Sequence, residues 1–261
     1  MPESMGAKRF IQRLEAHRSP EEAKKYLRYF KTGEGQYGAG DVFIGVSMGQ
    51  VFALAKEFID MPLSEIEKLL ESKVHEIRAG GLSIMNQQAR SKKTPESRRK
   101  ELYDLYMRRH DRINNWDLVD VSCIYVVGGY LFDKPRGILY RLARSKSIWK
   151  CRTAIVSTAY FIGQGDVADT FKIAEMLLKD DQDLIHKATG WMLRYAGDKD
   201  RQKLLSFLDK HAATIPRTLL RYAIEHLDKK QREHYLGLKP VGQMHATAAG
   251  QNTQNQGKRR Q

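Results

Sequence analysis

Apolar residues recur every three or four positions over most of the chain, which is the spacing of one face of an α-helix. The segment "LSEIEKLLESKVHEIRAGGLSIM" follows this spacing, whereas strand-like alternation is almost absent. Ser64 and Glu67 predict a capping box at the start of that segment. Ser19 predicts an N-cap in "SPEEAKKYLRYF", where Pro20 suits the first helical position. The pattern therefore predicts an all-α protein.

The helical segments come in pairs that recur along the chain. We place five pairs within residues 64–88, 99–131, 135–162, 168–197 and 199–227. When these pairs are aligned, Arg78, Asp117, Arg152, Lys187 and Arg217 take equivalent positions, with offsets of 39, 35, 35 and 30 residues. Intervals of this size are typical of HEAT-like or armadillo-like units. Such units stack into a superhelical α-α solenoid, whose concave surface is lined by the second helix of each pair.

Two segments depart from the helical pattern. Residues 31–48, "KTGEGQYGAGDVFIGVSM", are rich in glycine and predict a loop. Residues 239–261 are low in apolar side chains and rich in Gln, Asn and Gly, which predicts a disordered tail. We therefore expect one domain over residues 1–238, followed by this tail.

The charge balance indicates a polyanionic partner. Lys and Arg number 45 against 31 Asp and Glu, a formal charge of +14. This excess favours nucleic acid, although a basic protein that is merely soluble is the plain alternative. No apolar run reaches about 18 residues and the N-terminus has no apolar core, so we expect a cytoplasmic protein with no membrane partner. When it is bound to DNA in a bacterium, such a protein would be associated with the nucleoid.

The sequence gives no sign of a cofactor or a metal. Cys123 and Cys151 lie in apolar helical patterns without metal-ligand spacing, so we interpret them as reduced core residues. A glycine-rich phosphate loop followed by Lys and Ser or Thr is absent, so nucleotide hydrolysis has no support.

Residues near the start of each second helix are expected on the concave surface, where they combine aromatic and basic side chains. They are Trp116, Asp120, Trp149, Arg152, Lys187, Trp191, Arg194, Arg217 and Arg221. This combination is typical of nucleic-acid binding, with cations on phosphates and rings against sugars or bases. Each side chain also has a structural interpretation. We assign Trp149 to the core, while Arg78 and Lys187 could be solvated or could bridge neighbouring repeats.

The stretch "NNWDLVD" places Trp116 and Asp120 one helical turn apart on the same face. Asp117 falls in the first turn of its helix, where a carboxylate complements the helix dipole. Asp120 precedes the apolar run "VSCIYVVGGYL", so it borders the core and needs a partner such as an arginine from the next repeat. A structural ion pair and a catalytic carboxylate are indistinguishable from this pattern alone.

Four motifs in order give the chain a recognisable resemblance: "HEIRAGGLSIM", "NNWDLVD", "SIWKCRTAIV" and "IHKATGWMLR". With "SPEEAKKYLRYFK" before them, they resemble the AlkD family of bacterial DNA alkylation repair glycosylases over roughly residues 10–236. The resemblance implies a HEAT-like repeat fold that holds duplex DNA in a basic groove. It also implies excision of purines that are positively charged because they are alkylated at N7 or N3.

The resemblance also implies roles for individual residues. Trp116 and Asp120 match the centre of the family's site, Arg152 its arginine and Trp191 its second tryptophan. Tyr29 matches a tyrosine near the lesion, and Arg194 matches a DNA-contacting arginine. We also predict that four basic residues of the repeats bind DNA: Lys187, Arg78, Arg217 and Arg221. The loop at 31–48 departs most from the family, which bears on substrate preference.

Three functions are compatible with the residues. The first is a monofunctional, monomeric DNA glycosylase in which Asp120 stabilises an oxocarbenium-like sugar and orients water. The second is a non-catalytic solenoid that binds DNA or RNA, which would require the basic groove but not Asp120. The third is a protein-interaction scaffold, which would require neither. The fold alone would not decide among them. We favour the first, because only this function requires both the basic groove and Asp120.

Overall fold

The structure is a computed structural model that describes residues 6–238, and the tail expected at 239–261 lies outside this range. All the named secondary-structure elements within this range are helices, so the all-α fold class is confirmed. The chain divides into two compact units, an N-terminal unit, Met1–Asp166, and a C-terminal unit, Val167–Gln261. We describe each unit separately, and the single domain expected over 1–238 stays a prediction.

The N-terminal unit has nine α-helices among its described residues. They are α1 (Ala7–Glu15), α2 (Pro20–Tyr29), α3 (Met48–Glu57), α4 (Leu63–Leu70), α5 (His75–Arg90), α6 (Glu96–Arg108), α7 (Trp116–Cys123), α8 (Gly137–Ala143) and α9 (Ile148–Gly163). A 3-10 turn, His110–Arg112, precedes α7, and a π-helical segment, Ile124–Gly129, continues it. The helices α3, α5, α7 and α9 pack side by side in one row, and α4 and α6 pack against each other and against α5.

The C-terminal unit has five α-helices among its described residues. They are α10 (Ala168–Leu177), α11 (Asp183–Lys199), α12 (Arg201–His211), α13 (Arg217–Ala223) and α14 (Lys229–Gly237). Helices α10, α12 and α13 all pack on α11. The five pairs predicted from the sequence correspond to the consecutive helices α4–α5, α6–α7, α8–α9, α10–α11 and α12–α13, of which α4–α5, α8–α9 and α10–α11 pack closely on each other. Helices α1, α3 and α14 were not predicted individually from the sequence.

The apolar helical faces form the core. Leu69, Leu82 and Val119 have no exposed surface, and the predicted core residues Cys123 and Cys151 are buried. Burying one large aliphatic side chain contributes about 1.5–3 kcal/mol to folding. Within residues 6–238, no helix is both long enough and apolar enough to cross a membrane.

One of the two predicted helix starts is correct. The Ser19 hydroxyl accepts a hydrogen bond from the Glu22 amide, with Pro20 at the first helical position. The capping box at Ser64 is wrong, because α4 begins two residues earlier than predicted, at Leu63 with Pro62 as its N-cap, and Ser64 lies inside the helix. Glu67, its expected partner, instead accepts a hydrogen bond from Arg108.

The predicted glycine-rich loop is present and is held firmly at its C-terminal end. Gly45 has a φ of +79° and lies so close to the Ser19 carbonyl that a Cβ would clash with it. The carboxylate of Glu76, buried on α5, accepts hydrogen bonds from the amides of Ile44 at 3.1 Å and Gly45 at 2.8 Å. A parallel β-bridge also joins Val42 to Val74. The loop is therefore attached to the start of α5.

Helices α7 and α9 approach each other closely through the π-helical segment. A Cβ at Gly128 would clash with the backbone oxygen of Ser157 on α9. Only glycine allows this contact between the two backbones. Because α7 leads directly into this segment, its side chains can reach those of α9.

Candidate active site

Asp120 on α7 and Arg152 on α9 form a two-pronged ion pair. Arg152 Nε donates to Asp120 Oδ1 at 2.8 Å, and its Nη2 donates to Oδ2 at 2.7 Å. The side chain of Asp120 is 20% exposed and that of Arg152 is 7% exposed. Two such bonds fix both the position and the plane of the carboxylate. The expectation that Asp120 borders the core and is paired with an arginine from the next repeat is confirmed.

The surroundings act on the Asp120 carboxyl in two opposite directions. Burial raises its pKa, while the hydrogen bonds and charge of Arg152 act to lower it, and the net result is a pKa above the ordinary value. The two-pronged contact is the geometry of an ionised carboxylate. A carboxylate has about four lone-pair directions, and Arg152 uses one on each oxygen. The exposed edge of Asp120 can therefore accept further hydrogen bonds.

A partly exposed aromatic ring, that of Trp116, lies one turn before this carboxylate, and the ring of Tyr29 at the end of α2 lies against it. The ring of Trp116 stacks on Phe30, with 5.7 Å between centroids and 23° between planes. It also meets the ring of Tyr29 edge-on, with centroids 5.9 Å apart. Trp116 is half-buried, whereas Tyr29 is 63% exposed. The structure thus brings together four of the predicted site residues: Tyr29, Trp116, Asp120 and Arg152.

The start of α7, which carries Trp116, is attached to the glycine-rich loop. Asn115 is fully buried as the N-cap, and its side-chain oxygen accepts from the Trp116 amide at 2.8 Å. Its side-chain nitrogen donates to Asp41 Oδ2 at 3.0 Å. Because Asp41 belongs to the loop, the loop helps to set the position of Trp116.

His75 links the loop to α7 from inside the unit. Its Nε2 lies 2.7 Å from Asp117 Oδ2, and its Nδ1 lies 3.4 Å from Asp41 Oδ2. The rings of Phe30 and Phe43 lie 5.0 Å and 4.7 Å from the imidazole. Burial alone would lower the pKa of His75, but Asp117 and Asp41 outweigh it and raise that pKa to about 9. His75 is therefore an imidazolium ion at neutral pH.

Asp117 has the predicted position and one further partner. It lies in the first turn of α7, as expected for a carboxylate that complements the helix dipole. One of its oxygens accepts from the Leu118 amide at 2.9 Å, while the other contacts His75. Sequence reasoning missed His75, Asp41 and Glu76. The only sequence signal for His75 and Glu76 was the pair "HE" at the start of α5, and Asp41 lies in the glycine-rich loop.

The expectation that Arg78 binds DNA is wrong. Its side chain is only 3% exposed. Nη2 donates to Asp41 at 2.6 Å and to the Asn114 side chain at 3.1 Å, and Nη1 donates to the carbonyls of Ser72 and Lys73. A guanidinium buried among these acceptors offers almost no surface to a phosphate. Arg78 instead holds the loop against α5.

The assignment of Trp149 to the core is also wrong. The residue is half-buried, three positions before Arg152 on α9. Its ring meets the ring of Tyr37 edge-on, with 6.1 Å between centroids. The Tyr37 hydroxyl lies 3.4 Å from the backbone oxygen of Tyr29, to which it donates. The glycine-rich loop therefore adds an aromatic ring to this region, which sequence reasoning did not find.

The remaining predicted residues belong to the C-terminal unit. Lys187, Trp191 and Arg194 lie on one face of α11. Lys187 pairs with Asp183 at 2.8 Å, Arg194 pairs with Glu225, and Trp191 is half-buried. Arg217 and Arg221 are exposed on α13, where Arg217 donates to the Leu236 carbonyl. Their contact with DNA stays a prediction.

The comparison with protein families gives a clear result. The family described as "DNA alkylation repair enzyme" matches residues 10–227. No curated protein matches the chain. In the described residues 6–238, no group of three His, Cys, Asp or Glu side chains is arranged to hold a metal ion.

The comparison with solved structures agrees at the level of the fold. A predicted DNA alkylation repair enzyme from Enterococcus faecalis superimposes with a TM-score of 0.63 and 17% sequence identity. The match covers 82% of this chain and 98% of that one. At this identity the likeness concerns the fold alone, whereas the family match covers most of the sequence. The chain therefore belongs to the DNA alkylation repair enzyme family.

Proposed function

We propose that the protein is a monofunctional DNA glycosylase that removes cationic purines, alkylated at N7 or N3, from duplex DNA. The observation that carries this proposal is the ion pair of Asp120 and Arg152, held partly exposed one turn from Trp116. Membership of the family supports alkylated DNA as the substrate. The formal charge of +14 is suited to a DNA partner.

The charge of the substrate explains why one carboxylate suffices. The bond between C1′ of the sugar and the purine nitrogen breaks, and its electrons neutralise the cationic base, which leaves without prior protonation. The sugar becomes oxocarbenium-like, and an ionised Asp120 stabilises its positive charge. Water then adds to C1′ and loses a proton, giving an abasic site. The exposed edge of Asp120 can accept a hydrogen bond from this water.

Arg152 acts in this mechanism through Asp120. Its guanidinium holds the carboxylate in one orientation and favours its ionised form. With only 7% of its side chain exposed, Arg152 has little surface for the phosphate contact that its residue type would allow. We therefore treat it as a positioning residue.

Trp116 and Tyr29 are suited to hold the cationic nucleotide. An aromatic face attracts a cation by about 0.5–2 kcal/mol. The ring of Trp116 is held by its stacking on Phe30 and by the cap at Asn115, so it is oriented before the substrate binds. The preference for a charged base over a neutral one follows from this contact and from the leaving-group chemistry.

The test uses purified protein and a duplex that contains one 7-methylguanine. We expect release of free 7-methylguanine above the buffer control, and no release from a matched duplex with the neutral lesion O6-methylguanine. Borohydride should trap no covalent adduct, because no lysine is proposed to attack the sugar. Binding of the 7-methylguanine duplex with no more release than buffer would contradict the proposal and favour a non-catalytic DNA-binding protein.

A further inference from the structure

The glycine-rich loop presents Tyr37 from a well-anchored base. After Tyr37, the chain is held by Asp41, which contacts Arg78 and Asn115, and by the amides that donate to Glu76. Around Tyr37, the loop closes on itself, since the Gly38 amide donates to the Lys31 carbonyl at 3.2 Å. The position of Tyr37 against Trp149 is thus built into the fold.

Four aromatic residues near the ion pair are linked in series by two ring contacts and one hydrogen bond. Trp116 contacts Tyr29, the Tyr37 hydroxyl bonds to the Tyr29 backbone, and the Tyr37 ring contacts Trp149. The series begins on α7 one turn before Asp120. The series ends at Trp149 on α9, about one turn before Arg152. It therefore connects α7 and α9, the two helices that the ion pair of Asp120 and Arg152 also joins. The candidate site therefore has a second aromatic end, at Tyr37 and Trp149.

The surroundings of this second end are basic. Lys146 and Lys150 flank Trp149 in the sequence and are exposed. Within residues 6–238, neither lysine has an acidic partner at salt-bridge distance. Half-buried rings beside such cations match the chemistry of a nucleotide, with its base on a ring and its phosphate on a lysine.

We propose that Tyr37 and Trp149 form a second stacking site, which holds a nucleobase displaced from the duplex stack next to the damaged nucleotide while Lys146 and Lys150 contact its phosphates. This inference rests on the proposed function, which makes DNA the substrate. It gives the loop a part in recognising the substrate. The competing interpretation is that Tyr37 and Trp149 pack together only to anchor the loop.

The test measures the affinity for a fluorescent duplex with one 7-methylguanine, in wild type and in Tyr37→Ala and Trp149→Ala variants. Loss of one stacked base is expected to weaken binding by roughly 5- to 150-fold. Tyr37→Phe and Trp149→Phe keep a ring and should bind within about threefold of wild type. The matched control is Phe52→Ala, because Phe52 is 41% exposed on α3 and should not change the affinity.

A second readout addresses the lysines. Lys146→Gln and Lys150→Gln should each lower the slope of log affinity against log salt by about one, as expected for the loss of a phosphate contact. Circular dichroism melts of every variant establish that the losses are not caused by unfolding.

The outcomes separate this inference from the proposed function. Base release by wild type with unchanged affinity in both alanine variants would overturn the stacking site and leave the glycosylase intact. No base release by wild type, with weakened binding in the alanine variants alone, would support the stacking site and contradict the glycosylase. Equal loss in the phenylalanine and alanine variants would overturn the stacking site, because a retained ring would then make no difference.

Discussion

Two groups of charged residues in the N-terminal unit differ in their surroundings although both are paired. The first is the ion pair of Asp120 and Arg152. The second, which we call the buried cluster, consists of Asp41, His75, Arg78 and Asp117. The buried cluster contains two anions and two cations; Asp41, His75 and Arg78 are at most 3% exposed, and Asp117, at its edge, is 14% exposed. Asp120 has the most exposed side chain of the two groups, at 20%, and lies beside partly exposed rings, whereas the two oxygens of Asp117 contact His75 and the Leu118 amide. The surroundings of the carboxylate, rather than pairing, therefore separate a candidate catalytic group from a structural one.

The buried cluster nevertheless supports the site. Asp41 comes from the glycine-rich loop, His75 and Arg78 from α5, and Asp117 from α7. The three elements are therefore held together next to the start of α7, which carries Trp116. A change in the buried cluster should act first on stability, whereas a change at Asp120 should act first on chemistry.

The largest effect on stability is expected from Arg78→Met. This change leaves Asp41 buried without its guanidinium, and breaking a buried pair in this way costs about 3–5 kcal/mol. Urea unfolding measures the loss. If stability were unchanged while DNA affinity fell, Arg78 would be a DNA contact after all and the proposed contrast between the two groups would fail.

A smaller effect is expected from the pH dependence of the buried cluster. The pKa of His75 is about 9 in the folded protein and about 6.5 when the chain is unfolded. Folding therefore favours the protonated form. The contribution is complete below pH 6.5 and is lost as pH rises towards 9, by up to roughly 3 kcal/mol.

Urea unfolding at several values between pH 7 and 8.5 tests this dependence. The free energy of unfolding should fall with pH in wild type, and His75→Gln should flatten the fall. His110 has little effect in this range, because burial lowers its pKa to about 4 and its contribution changes mainly between about pH 4 and 6.5. An equally steep fall in His75→Gln would show that another group titrates.

The smallest effect on stability is expected from Lys187→Gln in the C-terminal unit. Lys187 is 42% exposed and its pair with Asp183 is a surface contact, so stability should change by less than about 1 kcal/mol. If Lys187 contacts a phosphate, the salt dependence of DNA binding should weaken by about one unit of slope. An unchanged slope would remove Lys187 from the DNA-binding residues.

The sequence revealed the helix pairs and the environment of Asp120 because both depend on local patterns. Apolar periodicity defined the pairs, and the apolar run after Asp120 indicated a half-buried carboxylate that needs a partner. Equivalent repeat positions gave no information about burial. Arg78 and Lys187 align with each other, yet one is enclosed and the other is exposed.

The glycine-rich loop explains most of what the sequence did not show. The loop folds over the start of α5, where it buries Arg78 and supplies Asp41, and it places Tyr37 against Trp149. These contacts join residues about 30 to 110 positions apart, and no local pattern encodes such pairings. The same loop turned an expected core tryptophan into part of the candidate site.

The most direct test of the central claim is the single-turnover rate of 7-methylguanine release by Asp120→Asn. Asp104→Asn, which removes an exposed carboxylate on α6, is the matched control. Loss of the charge that stabilises the sugar should slow release by about 100-fold or more in Asp120→Asn, while DNA binding persists and the control keeps the wild-type rate. A folded, DNA-binding Asp120→Asn protein that releases the base at the wild-type rate would contradict the claim.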